Sequence, residues 1–297
     1  MTQCADLVKR VCNEQNQGMP ASQKNQPPAE EAEDGRRAVQ SVEVGGRLLL
    51  DLAESPGPLP LKELAARAGL VPSRAHPYLV SFQRLGLVAQ ESGSGYYALG
   101  PAALQIGLAC LHQLDPLKLA EPIAQGLARN TGHAVAIAVW GNFGPTIVRL
   151  VEAQQPLHIM LRVGSVMSVL GTATGRAFAA AMPPEQLERA ITLSPGYEVG
   201  AARPGARSWR KEVGEVAAEV RRHGVARAAG RPIPGVNAFS ATVFDHEGRP
   251  ALVLTALDHE DRLKADWNSA GARAVREAAA AITRRLGGAT EMRHVAG

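Results

Sequence analysis

Between Val71 and Val88 the chain reads VPSRAHPYLVSFQRLGLV. Taken as a helix, this stretch sets Ser73, Arg74, Pro77, Ser81 and Arg84 opposite an apolar stripe. A guanidinium fork such as that of Arg74 matches the O6 and N7 acceptors of guanine, and His76 could reach a base or a phosphate. The plainer reading of Arg74 is a solvated helix start, or a phosphate contact that carries no sequence information. Arg36, Arg37, Arg47 and Lys62 are further candidates for phosphate oxygens. Glu43, Asp51, Glu54, Glu63 and Glu91 nearly balance them, so any attraction must come from local placement rather than from the field of the region.

Other chemistries find less support. His133, His158, His246 and His259 are not joined by HxxxH or HxH spacing. The cysteines are Cys4, Cys12 and Cys110, with no CxxC. Neither a metal site, nor a bound cofactor, nor a disulfide framework is expected, and the odd cysteine count suits a reducing compartment. Cys110 reads as a buried small hydrophobe, with a redox-sensitive thiol as the other reading. No GxSxG occurs, and GTATGRAF lacks both the GK[ST] ending and the GxGxxG spacing of phosphate loops. The net charge of +4 is compatible with a polyanionic partner without requiring one. No run approaches the length of a membrane-crossing helix and the start shows no secretory h-region, so a cytoplasmic protein is expected.

The elements that must position these residues follow from periodicity. Residues 1–35 are polar and poor in large apolar side chains, and are expected to be a disordered tail. Ser41–Glu54 predicts a helix with Val44, Leu48 and Leu52 inward. SPGPLP breaks it, and Leu61–Leu70 predicts a short helix with Leu61, Leu64, Ala65 and Ala68 inward and Gly69 just past its end. In the next helix Ala75, Tyr78, Leu79, Phe82 and Leu85 form the buried stripe, and Ser73 suits the N-cap. Pro77 falls on its outer face. Counted from Ser73, it predicts an irregular first turn and regular helix from Pro77 onward. LVAQE, the turn SGSG and YYAL make a hairpin in which Tyr96 or Tyr97 packs onto the helix. Residues 36–100 are therefore a winged helix-turn-helix, a form that places its second helix in the major groove.

A linker helix is expected over 101–118 and an α/β domain over 119–286, with a short tail at 287–297. HAVAIAVWG, TIVRLVEA and PLHIMLRVG read as strands. AFSATVFD and PALVLTAL form a hairpin over HEGR, ATGRAFAAAMP and EVAAEVRRHG are helices, and Trp267–Leu286 is a long closing helix. The fold class is α+β.

The chain resembles IclR-type bacterial transcriptional regulators. The likeness rests on SVEVGGRLLLDLAE, LPLKELAARAGLVPSRAHPYL, RLGLV and YYALGP, then on RVGSVMSVLGTATGRAFAAAMP and GVNAFSATVFDHEGRPALVLTAL. It implies a homodimer or homotetramer that binds double-stranded operator DNA, with a GAF-like C-terminal domain that senses a small organic effector. Members of that family commonly carry Arg where this chain has Pro77. The resemblance places the effector at the loop LGTATGRA, with Gly171, Ala173 and Thr174 facing it, and on the terminal hairpin, with Ala238, Ser240, Thr255 and Leu257. Ordinary core packing is the plain alternative for each. Arg231 stands where relatives often have an acid, which points to a carboxylate with an apolar body, such as an aromatic acid. The rival reading is an enzyme or stand-alone metabolite sensor whose winged helix makes protein contacts.

Overall fold

The computed structural model describes residues 38–157, 159, 161–192, 199 and 209–289. Arg36, Arg37, His158 and the segments 1–35 and 290–297 lie outside the described residues. The chain divides into two compact units between Ile106 and Gly107.

The first unit is built from α1 (Gln40–Glu54), α2 (Leu61–Arg67), α3 (Pro72–Arg84) and a hairpin of β1 (Val88–Gln90) with β2 (Tyr97–Leu99). Its core joins Leu48 and Leu52 of α1, Leu64 and Ala65 of α2, Ala75 and Leu79 of α3, and Val88 and Tyr97 of the hairpin. Tyr97 is the tyrosine that packs, whereas Tyr96 is exposed. Leu59 pairs with Tyr97 through two backbone hydrogen bonds of 2.9 and 2.8 Å, so the proline-rich break is also bridged to the wing. Gly69 takes φ +68° after α2. Its N–H donates to Ala66 and that of Leu70 to Ala65, the paired bonds that close a helix end.

Helix α3 corrects three expectations. Val71, not Ser73, is the N-cap, and Pro72 occupies the first turn, where its missing N–H costs nothing. The first turn is already secured by Arg74 and Ala75 N–H donating to the Val71 carbonyl at 3.0 and 3.1 Å. The helix therefore runs unbroken through Pro77 rather than becoming regular only there. Leu85 is 66% exposed instead of completing the buried stripe, because it is the C-cap and the chain turns away at Gly86. Tyr78 and Phe82 are half-buried against the core, and Leu61 of α2 is likewise half-buried rather than fully inward.

Helix α4 (Pro101–Gln113) buries none of its residues. Cys110 on it is exposed, contrary to its reading as a buried hydrophobe. Residues 116–118 open a separate helix, α5 (Pro116–Thr131), capped by the Asp115 carboxylate, which accepts from Leu117 and Lys118 N–H.

The second unit holds a five-stranded antiparallel sheet in the order β4-β3-β7-β6-β5, from β3 (Ala134–Gly141), β4 (Gly144–Val151), β5 (Ala226–Ala229), β6 (Val236–Phe244) and β7 (Pro250–His259). Side chains alternate across it with period two. Val135, Ile137, Phe239, Val243, Leu252 and Leu254 pack toward α5 and α9 (Ala270–Arg285). Ala134, Ala136, Ala138, Val253 and Leu257 pack toward α6 (Ala173–Ala179), α7 (Pro184–Thr192) and α8 (Trp209–His223).

Sequence patterning missed β5 and α7. The described residues of PLHIMLRVG are not in a strand. The last helix begins at Ala270 with Ser269 as its cap, not at Trp267. Trp267 is instead held outside the helix, stacked on His223 at 4.1 Å and facing the Arg227 guanidinium at 4.0 Å. His133 joins a polar cluster: its Nδ1 lies 2.9 Å from Asp258 Oδ2, and Asp258 also accepts from Arg262 and from the His259 N–H. Among the described residues no cluster of His, Cys, Asp or Glu could hold a metal ion, and no helix is long and apolar enough to cross a membrane.

Candidate functional site

Two regions collect the residues singled out from the sequence. The first is the outer face of α3. Ala75 and Leu79 are fully buried, which fixes the roll of the helix, and Ser73, Arg74, His76, Pro77, Ser81 and Arg84 are exposed. Arg74, Pro77, Ser81 and Arg84 follow one another at helical spacing along a single stripe. Ser81 Oγ donates to the Pro77 carbonyl at 3.0 Å, a bond back along the helix. Arg47 on α1 and Lys62 on α2 are exposed as well. Arg67, which sequence reasoning passed over, is tied to Glu63 at 2.6 Å on the same helix. In the wing, Ser94 donates to Glu91 at 2.8 Å and accepts from Tyr96 N–H, which organises the turn.

The second region is a cavity of about 470 Å³, its open mouth included, between the sheet and α6. Small side chains create it. Ala136, Ala228 and Ala238 occupy positions on three different strands, and Ala173 faces them from α6. Of the residues expected around an effector, Ala173, Thr174, Arg231, Ala238, Thr255 and Leu257 line this space; Gly171 and Ser240 do not. The Gly171 N–H is already taken by Ser168 Oγ at 3.1 Å. Sequence reasoning missed Ala136, Leu161, Met167, Thr172, Val199, Ala228, Pro232, Ile233 and Val236, most of them apolar residues that no local pattern distinguishes from core.

The backbone of the loop is pinned by its own side chains. Thr172 caps α6 by accepting from Gly175 N–H at 3.0 Å and donates to the Ser168 carbonyl at 2.9 Å, so its one proton is committed. Gly175 cannot carry a side chain, since a Cβ there would collide with the carbonyl oxygens of Ser168 and Val169. This close approach packs the start of α6 against the loop that precedes it.

Ser240 is fully buried beneath the cavity floor. Its Oγ lies 2.7 Å from Thr255 Oγ1, which lies 2.9 Å from Thr174 Oγ1. These three hydroxyls carry three protons and share two bonds. Ser240 has no other partner among the described residues, so leaving its proton unused would orphan a buried donor, at about 1–3 kcal/mol. With Ser240 donating to Thr255, one proton of the Thr174–Thr255 pair is left over from the two bonds. Arg231 is exposed and supplies the one charged side chain among the described lining residues.

Comparison with known proteins places both regions. The profile of the IclR helix-turn-helix domain matches residues 41–92, and that of the bacterial transcriptional regulator IclR C-terminal domain matches residues 108–284. The chain belongs to the IclR family. It is similar to the transcriptional repressor IclR of Escherichia coli, 30% identical over 155 residues, which are 52% of this chain and 57% of that one. It is similar also to the glycerol operon regulatory protein of Streptomyces griseus, 29% identical over 264 residues, 84% of this chain and 98% of that one. The crystal structure of Pseudomonas aeruginosa HmgR superposes with a TM-score of 0.76 at 32% identity, covering 84% of this chain and 99% of that one. The match thus spans little more than half of the Escherichia coli relative but nearly all of the other two. The families and relatives of this IclR-family chain are transcriptional regulators, not enzymes.

Proposed function

We propose that this IclR-family protein is a cytoplasmic, sequence-specific regulator that binds double-stranded operator DNA as a homodimer or homotetramer, under the control of a small organic effector. The observation that carries the reading is the two-sidedness of α3. Ala75 and Leu79 anchor it, and the opposite side leaves Arg74, His76, Ser81 and Arg84 free to enter a groove, with Ser73 at the helix start. Arg47 and Lys62 add exposed cations for the phosphate backbone; Arg36 and Arg37 precede the described residues and are assigned the same role from sequence alone.

The effector-binding residues in this reading are Ala173, Thr174, Arg231, Ala238, Thr255 and Leu257, with Ser240 acting from beneath and Gly171 shaping the loop. Support comes from the chemistry of the cavity. Its wall is mostly apolar, its floor presents the Thr174 and Thr255 hydroxyls, and its exposed rim carries the Arg231 guanidinium. That combination suits a carboxylate with an apolar body, such as an aromatic acid. An antiparallel sheet between two helical layers agrees with a GAF-like sensory module.

The test is footprinting of the full chain on the DNA upstream of its own gene, repeated across a salt titration. Protection of a discrete site, with affinity falling steeply as salt rises, is the expected result. Binding that ignores salt, or no protection at all, would remove the reading. A thermal-shift panel of aromatic monocarboxylates tests the effector: at least one should raise the melting temperature, and a flat panel argues against the assigned class.

A further inference from the structure

The outward midline of α3 carries a proline, and its chemistry specifies a base. At 3.6 residues per turn, Pro77 projects roughly 180° from the midline of the buried pair Ala75 and Leu79. No other direction from this helix points more squarely away from the core. Arg74 and Arg84 flank Pro77 along the stripe as donors, and Ser81 sits one turn beyond it. The pyrrolidine ring is exposed. It has no N–H and no other polar side-chain atom, so it can form no hydrogen bond to a base edge.

One feature of the major groove rewards an apolar surface, the C5-methyl group of thymine. The neighbour on the stripe agrees with that choice. The single hydroxyl proton of Ser81 is committed to the Pro77 carbonyl at 3.0 Å, so its oxygen offers the groove lone pairs only. An acceptor pairs with a base amino group, and an A·T pair presents both the thymine methyl and the adenine N6 amino group in the same groove. A G·C pair presents no methyl.

We infer that Pro77 is a specificity-determining residue that packs on the methyl group of a thymine, so that the site it reads holds an A·T pair between the positions contacted by Arg74 and Arg84. This inference rests on the proposed DNA-binding reading and adds to it the identity of a base.

The experiment begins with selection of duplexes from a randomised pool by the full chain. Each thymine of the selected duplex is then replaced singly by deoxyuridine, which removes only the methyl group. Binding should weaken about fourfold at one thymine, the worth of one buried methyl group. Pro77→Ser should abolish that penalty while binding the deoxyuridine duplex as well as the thymine one. Pro77→Arg should shift the selected base from thymine toward guanine. A selected sequence in which no thymine responds to methyl removal, or in which the response persists unchanged in Pro77→Ser, overturns the inference and leaves DNA binding intact. Failure of the wild-type chain to bind any duplex at low salt sinks the DNA-binding reading and this inference with it. Far-ultraviolet circular dichroism of both variants confirms that α3 is retained.

Discussion

The face of α3 and the cavity above the sheet are built in opposite ways. The α3 face draws on residues close together in the chain, all exposed, and none of them carries the core. The cavity draws on β3, α6, β5, β6 and β7, and its lining is continuous with the core that holds the second unit together. The lesson is one of coupling. A side chain that only faces outward can change what the protein touches without changing what it is. A cavity residue cannot be altered without also altering packing.

That contrast can be broken most severely at Gly175. Replacing it with Val should cost the second unit about 3 kcal/mol or more, because the collision is with backbone carbonyls that have nowhere to move. Calorimetry of the variant should show that transition lost or lowered by many degrees. A melt like that of the wild type would mean α6 is not held as described.

The corner around Asp258 comes next. Burial pushes its carboxyl up, but hydrogen bonds from Arg262, His133 and the His259 N–H outweigh this and hold it below the usual carboxylate range. Its folded value is thus below its unfolded one. The stability it contributes is complete above the ordinary value of 3.8 and is lost as pH falls through the lower folded value. Asp258→Ala should cost about 2 kcal/mol at neutral pH, a figure reduced because Arg262 is partly solvated. The variant should lose less stability than the wild type on acidification. Equal acid sensitivity in urea titrations would count against the account.

Thr255→Val keeps the shape of the cavity floor and strands Ser240. A loss of about 1–2 kcal/mol is expected in denaturant melts, with a weakened response to any carboxylate effector. If both stability and effector response stay unchanged, the hydroxyl chain is not organised as described.

Arg74→Ala should leave the melting temperature within experimental scatter, since the side chain is exposed, and lower affinity for a selected duplex about tenfold, at the low end for a lost base contact. A stability loss without a binding loss would invert the comparison.

Legibility followed the same divide. The helices of the first unit, the hairpin wing and the inward residues Val44, Leu48, Leu52, Leu64, Ala75 and Leu79 could be read from spacing alone, because each element contacts its neighbour in sequence. Errors there fell at ends: Leu85 left the stripe and Ser73 was not the cap, since the preceding Pro72 fitted the first helical position. In the second unit the long hairpin of β6 and β7 and the β3–β4 turn were legible. The strand Ala226–Ala229 was not, because four residues rich in alanine carry no period-two signal until they are paired with Asn237–Ser240. Cavity residues such as Ala136 and Ala228 were invisible for the same reason: an alanine marks a void only when its neighbours are known.

Sequence alone determined that Arg74, Pro77, Ser81 and Arg84 share a face, because helical periodicity is a local property and the buried Ala75 and Leu79 fix which side turns out. Only the tertiary structure decided that Thr174, Thr255 and Ser240 form one hydroxyl chain beneath a cavity opening toward Arg231. Thr174 and Thr255 are joined across 81 positions of chain. Strand register and the packing of α6 on the sheet bring them within hydrogen-bonding distance, and both arise from long-range packing that no window of sequence contains.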